Sequence, residues 1–212
     1  MNNEINYSDE LEDLLKKNGE ECESYSILHR MSYEKYNAMS NLINIPVIIG
    51  SSAVGFATGI QIEYKDINII LGIASVVIGC IKSIDSYFAL GKRAENHRIC
   101  SLAFDQINKK IMIELALPRN ERTNAKDLLN IVKIDIKNLH DIAHLIDDGI
   151  IQKYNKKYGQ NTIVKKPNIV NGLTEIVIVG KKTTIKDIVE TPDGKLHVAD
   201  PIPPTDDNGI EM

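Results

Sequence analysis

The chain has 212 residues, a quarter of them charged, with a net charge of −4. That balance argues against a nucleic-acid binder, which needs a concentrated basic patch. Three cysteines, an odd number, make no disulfide framework, so Cys22, Cys80 and Cys100 are expected as free thiols in a reducing compartment. The length alone fits one soluble domain, but the slightly negative mean hydropathy averages two strongly apolar stretches with a polar remainder.

Residues 1–41 are expected to hold an amphipathic helix from about Ser8 to Asn37. Ser8 can cap it, and Glu10, Glu12 and Asp13 lie where the helix dipole favours anions. Leu11, Leu15, Asn18, Cys22, Tyr25, His29, Ser32, Tyr36 and Met39 recur at alternating fours and threes, the spacing of a seam that packs on a partner helix. Tyr25, His29 and Tyr36 are its expected interface residues.

Residues 42–84 read as a transmembrane hairpin. From Ala38 to Ile62 there is no charged residue over 25 positions. About 20 apolar residues at roughly 1.5 Å each cross a hydrocarbon core of about 30 Å. Pro46 sits early in this first span, where it marks a first turn or a kink. After Glu63, Tyr64, Lys65 and Asp66 comes a second apolar run, Ile67 to Ile81, reaching Ile84 if Lys82 snorkels. The alternative is a buried helical hairpin of a soluble protein. Such a hairpin normally carries a polar stripe, and Asn44, Ser51, Ser52 and Thr58 make no charged face.

Arg30 and Lys35 precede the hairpin and Lys82, Lys92, Arg93 and Arg98 come after it, whereas the connecting loop offers Lys65 alone. Cytoplasmic flanks collect Lys and Arg, so both termini are expected in the cytoplasm. The acidic N-terminal stretch is unlike a secretory signal.

Within the spans, Ser51, Gly55 and Gly59 fall on one helical face, and Gly72, Ser75 and Gly79 answer on the second. Lipid supplies no hydrophobic drive between helices, so small faces that admit close backbone approach decide association. They pack the two spans on each other or join subunits, and the sequence leaves both open. Asn44, Thr58, Gln61 and Asn68 are polar, but no charge lies at mid-depth, which argues against a carrier or proton relay.

Residues 85–158 should form cytoplasmic helices. The second span is expected to run unbroken into a helix ending at Pro118, with Ile84, Phe88, Leu102, Phe104, Ile107, Ile111 and Leu115 on its apolar face. Asn124 can cap a further helix carrying Leu128, Leu129, Val132, Ile136, Leu139, Ala143 and Ile146, interrupted or ended at Gly149. Ile150 to Lys157 form a basic amphipathic coda able to touch a membrane surface or simply face solvent. Residues 159–212 change character. Thr174–Val179, Ile185–Val189 and Lys195–Val198 are strand-like, with a turn at Pro192-Asp193-Gly194, and the tail is expected to be loosely ordered or shaped by a partner.

Catalytic and metal motifs fail. His140 and His144, one turn apart on a continuous helix, lack the glutamate of H-E-x-x-H, and His97 with Cys100 is weaker still. Gly180-Lys181-Lys182-Thr183 has no glycine five residues before it, so it is no phosphate loop. The expectation is a non-enzyme with no metal and no cofactor.

Several segments together resemble one family. Tyr25-x-x-Leu28-His29-x-x-Ser32-x-x-x-Tyr36 leads to Ile45-Pro46-Val47-Ile48. Glu114-Leu115-Ala116-Leu117-Pro118-Arg119-x-x-Arg122-Thr123-Asn124-x-Lys126-Asp127 comes next, and Ile150-Ile151-x-Lys153-Tyr154-x-Lys156-Lys157 closes the pattern. This resembles the SLATT family of two-transmembrane effectors associated with bacterial nucleotide-signalling systems, in particular the branch found in large double-stranded DNA viruses of eukaryotes. The likeness spans about residues 11–158. It departs at Asp147-Asp148-Gly149, where a proline-containing linker is the family's habit. It implies a transmembrane hairpin with flanking cytoplasmic helices that self-associates in a lipid bilayer as a membrane effector or pore. The tail after Gly159 has no counterpart in it, and the fold class expected for the whole chain is an all-α membrane protein with a β-containing C-terminal tail. The viral branch implies the alternative of a virion structural protein that anchors an inner membrane to capsid proteins. The small-residue spans favour assembly in lipid, and the strand-like tail favours a docking surface that adds to a partner's sheet edge.

Overall fold

The computed structural model describes residues 7–60, 64–160 and 163–172. Among these the chain is helical and has no strand, in six α-helices and one 3-10 turn: α1 (Asp9–Gly59), α2 (Ile67–Phe88), α3 (Leu90–Ala116), the turn Arg119–Glu121, α4 (Ala125–Ile142), α5 (Asp148–Tyr158) and the short α6 (Asn168–Asn171). The expected strands, at Thr174–Val179 and beyond, lie outside the described residues.

α1 begins as the sequence requires, with the Ser8 side chain accepting from the Leu11 N–H and Asp9, Glu10 and Glu12 in the first turn. It then corrects the expectation of two elements. The amphipathic half and the first span are one helix of 51 residues with Pro46 inside it. Proline removes one backbone donor and crowds the preceding turn at a cost of about 3 kcal/mol in a helix interior. Half-buried Ile43 and Val47 flank Pro46 in the chain. Asn44, just before it, donates back to the Ser40 carbonyl at 2.9 Å.

The opposite correction holds on the return arm. The expected unbroken helix is interrupted at Ala89, which takes the left-handed conformation (φ 48°) and closes α2 with its N–H on the Asp85 carbonyl. An alanine there strains against its own Cβ. Leu90, buried beyond the break, joins Tyr36 and Ala94 in a small core at the foot of the hairpin.

α3 packs along the first half of α1. Leu90, Ala94, His97, Ser101, Phe104 and Ile111 are buried on its inner face at fours, threes and sevens, the period of a two-helix seam. They meet Leu15, Cys22, His29, Ser32 and Tyr36, which belong to the predicted α1 seam and are all buried; Met39, also predicted there, is exposed. Ile84, Phe88 and Leu102 were expected on the same face of the return arm and are instead exposed. α4 closes the main core with Leu128 and Val132. The apolar side of α5, Ile150 and Tyr154, is spent on Leu28 and Met31 of α1, which leaves only its lysine side outward.

A polar clamp ties the start of α1 to the α3–α4 connection. Arg119 forks onto Glu12 with bonds of 2.7 and 3.0 Å and also meets Asp9, while Arg122 contacts Glu12 and donates to the Leu115 and Leu117 carbonyls. Glu114 accepts from Thr123 Oγ1 at 2.6 Å, and Asn124 caps α4 through Lys126 N–H.

Candidate functional site

α1 and α2 run antiparallel from the foot of the bundle. Gly50 of α1 faces Ile78 of α2, where an added Cβ would lie 3.3 Å from Ile78 Cδ1. The half-buried residues Ile43, Val47, Gly50, Val54 and Ala57 on α1, and Ile67, Leu71, Ala74 and Ile78 on α2, again recur at fours and threes. These residues form the seam between the two helices. Gly50 is the glycine of that seam, and it falls outside the more regular 51–55–59 register that stands out in the sequence.

The predicted small faces lie elsewhere. Ser51, Gly55, Gly59, Gly72, Ser75 and Gly79 are all exposed, and a Cβ on any of the four glycines would meet no atom within 4 Å. They are brought to the outside of the pair, not to its seam. Around them sit Leu42, Ile48, Ile49, Phe56, Ile73 and Val76, each more than 60% exposed. α1 and the α2–α3 arm each contain an 18-residue window apolar and long enough to cross a membrane, and neither window has a buried residue.

Of the polar candidates in the spans, Thr58 and Asn44 are hydrogen-bonded and Asn68 is exposed. Thr58 Oγ1 donates to the Val54 carbonyl at 2.8 Å, and Ser52 and Ser75 bond back one turn in the same way. Gln61 lies outside the described residues. Asn44 belongs to a polar foot, where its Oδ1 accepts from Lys82 Nζ and Lys82 pairs with Asp85 at 2.8 Å. Asp85 Oδ1 is buried without a hydrogen-bond partner.

Tyr25, His29 and Tyr36 converge with three further histidines on a ring cluster between α1, α3 and α4. His29 Nδ1 and His97 Nδ1 are hydrogen-bonded at 2.8 Å, and both side chains are buried. Phe104 stacks on His29 with centroids 5.7 Å apart, and Tyr36 stacks on His97 at 5.5 Å. Tyr25 stacks on Phe104, and the exposed rings of His140 and His144 lie edge-on to Tyr25 and His97. Tyr36 Oη donates to Asp147 Oδ2 at 3.0 Å, beside Lys35 at 2.7 Å. Tyr36, Arg93, His97, His144 and Asp147 line an open cleft of about 450 Å³.

Burial, and then the neighbouring His97, push His29 down to about 3, and burial lowers His97 and His140. Hydrogen bonding to Lys35 holds Asp147 below the ordinary carboxylate range. Burial raises the Cys22 thiol to about 12 and raises Cys100 as well. These are environments that keep imidazoles neutral and thiols unreactive.

The one-turn spacing of His140 and His144 is not realised on a helix. α4 ends at Ile142, Ala143 is extended, and His144 lies in the connecting segment before α5. Among the described residues no three His, Cys, Asp or Glu side chains are placed to hold a metal. His97 was discounted in sequence as a partner of Cys100. Its signal was register, since 97 falls between 94 and 101 on the buried α3 face.

Comparison with protein-family models, with curated proteins and with solved structures gives no match.

Proposed function

We propose that this chain is a non-enzymatic membrane protein. Its α1–α2 pair inserts in a lipid bilayer with both termini cytoplasmic, and it self-associates through Ser51, Gly55, Gly59, Gly72, Ser75 and Gly79 to act as a membrane effector or pore-like assembly. The observation that carries this is the absence of burial along both apolar windows. A core helix of a soluble protein hides its apolar side chains, and each large one fully buried is worth about 1.5–3 kcal/mol. Here Leu42, Phe56 and Val76 point away from the chain's own cores. Acyl chains are the natural solvent for such a surface.

Three features support this reading, the first of them bearing on assembly over a lone hairpin. The seam of the pair is filled by Gly50 and Ile78, so the outward small faces are free for a second copy. Serines and threonines on those helices bond their own backbone and present little unsatisfied polarity to lipid. The residues behind the likeness to the SLATT pattern also have definite structural work: Leu28, His29, Ser32, Tyr36 and Tyr154 are buried, and Arg119, Arg122 and Glu114 build the clamp.

The test is reconstitution of the full chain in vesicles. Carbonate-resistant association, a discrete oligomer and ion leakage support the effector reading, and recovery as a water-soluble monomer refutes insertion. The strand-like sequence after Thr174 favours a second reading, an anchor joining a virion's inner membrane to capsid proteins. An oligomer without leakage, together with many copies in purified particles, would select it.

A further inference from the structure

Four of the five histidines of the chain gather at one place, and two of them are bonded to each other inside it. A 2.8 Å contact between two Nδ1 atoms requires one ring to carry its proton on Nδ1 and the other to leave Nδ1 bare. The pair sits on the seam between α1 and α3, with Tyr36 stacked on one side and Phe104 on the other. It lies outside the apolar windows, so its protonation does not depend on membrane insertion.

We propose that the His29–His97 contact is an acid-sensitive latch that holds α1 to α3 at neutral pH and releases them when the pair takes up its second proton. The first proton enters on Nε2 of the donor ring. It places one charge in a buried site, but the Nδ1–H still points at its partner. The second has only the shared Nδ1 left, and two N–H groups and two positive charges would then face each other at hydrogen-bond distance. That arrangement is repulsive where burial leaves little water to screen it. Separation of the rings is the relief.

The charged and titratable groups around the pair set its response. Arg93 of α3 opposes charge on His97, and Asp147 in the α4–α5 connection favours it. Asp147 is already committed to Lys35 and Tyr36 of α1. His140 of α4 and His144 of the connection lie beside the pair, and positive charge on either opposes protonation of His29. Tyr154, the α5 group against this stretch of α1, bonds Ser24. His97 and His144 line the open cleft, which gives protons a route in.

Linkage fixes the sign. Both buried histidines prefer the neutral form when the seam is closed, and an opened seam returns them toward an ordinary value near 6.5. Closure is therefore favoured above that value and weakens as pH falls. While the closed pair stays neutral, the closed-to-open ratio drops by up to about a hundredfold per pH unit, a factor of about ten for each histidine.

Cys22 and Cys100 are built-in reporters, being buried on the same seam. The full chain carrying Cys80→Ser, in detergent micelles, is treated with 4,4′-dithiodipyridine from pH 7.5 to 4.5, with rates normalised to free cysteine. Both thiols are expected to be protected at pH 7.5 and to react at least tenfold faster at pH 5. The double variant His29→Asn with His97→Asn, which keeps an amide donor and acceptor but cannot titrate, should lose this acceleration. Thiols that stay protected down to pH 4.5, or equal acceleration in the double variant, would overturn the latch. If that variant labels freely at pH 7.5 because it does not fold, imidazole ¹⁵N spectra of the unsubstituted chain decide. One Nδ1-protonated and one Nδ1-bare buried ring at pH 7.5, lost together on acidification, support the latch. Two bare Nδ1 atoms, or a pair unchanged at pH 5, refute it.

Discussion

Replacing Gly50 and Gly55 in turn by leucine separates the two kinds of packing in the helical pair. Gly50 is filled from the far side, since a Cβ there already lies 3.3 Å from Ile78 Cδ1. The remaining carbons of leucine have no room unless the helices move apart. Overpacking of this kind costs about 1–3 kcal/mol, which weakens closure of the pair by roughly 5- to 160-fold. At Gly55 the same side chain meets nothing within 4 Å. The pair should tolerate it and gain nearly 1 kcal/mol of helix propensity over glycine. What Gly55→Leu should lose is close approach to a second copy. Cross-linking of Asn44→Cys to Lys82→Cys by a bifunctional thiol reagent, in a Cys80→Ser background, traps and so reports the pair within one chain, and oligomer mass in nanodiscs reports assembly between chains. The expectation is that Gly50→Leu abolishes trapping, whereas Gly55→Leu traps normally but runs as a monomer. Normal trapping in Gly50→Leu, or an unchanged oligomer in Gly55→Leu, would refute the assignment of inner and outer faces.

Other perturbations act on the bundle. Phe104→Ala removes a ring with no exposed surface that stacks on Tyr25 and His29, and should cost about 3–5 kcal/mol in denaturant titrations of the micelle-bound protein. Hydrogen bonds from Arg119 and then Arg122 hold the Glu12 carboxyl at about 2, against 4.5 for the free group. The clamp's contribution is therefore complete above pH 4.5 and is lost as pH falls toward 2. Melting temperatures of Glu12→Gln should fall less steeply than those of the unsubstituted chain across that window. Ala89→Gly relieves a left-handed alanine, and after glycine's own entropy cost should stabilise by about 1 kcal/mol in thermal melts. Ala89→Val at the same position should destabilise.

Periodicity carried the sequence reading furthest where one face meets one partner. Leu15, Cys22, His29, Ser32 and Tyr36 were legible as a seam because a buried face repeats every three or four residues whatever covers it. The identity of the cover was not legible. His97 and Phe104 lie about 70 residues from His29 in the chain, and nothing local links them. The extended Ala143–Asp147 segment was missed for a related reason. Leu139, Ala143 and Ile146 keep helical spacing, but His144 and Asp147 find better partners off the helix, in His97 and in Lys35 with Tyr36. The small residues Ser51, Gly55, Gly59, Gly72, Ser75 and Gly79 all lie exposed on the pair. Their side of the helix depended on Gly50, a single glycine whose importance only the facing Ile78 reveals.

The continuity of α1 has the largest mechanical consequence. At about 1.5 Å per residue, 51 residues make a rod of roughly 75 Å that belongs both to the bundle and to the apolar pair. The return arm is jointed at Ala89, so displacement in the bundle reaches the pair chiefly through α1. Asn41 and Leu42 are exposed at the junction, and replacing both by glycine should cost about 1 kcal/mol of helix propensity without deleting a buried contact. Spin labels at Lys17 and Ser52, 35 residues apart on exposed positions of α1, should give a narrow distance distribution near 50 Å in the unsubstituted helix. The glycine pair should broaden and shorten it while Cys22 and Cys100 stay protected. A broad distribution before substitution would mean that Pro46 divides α1 into two independent helices, and that the bundle has no rigid lever on the spans.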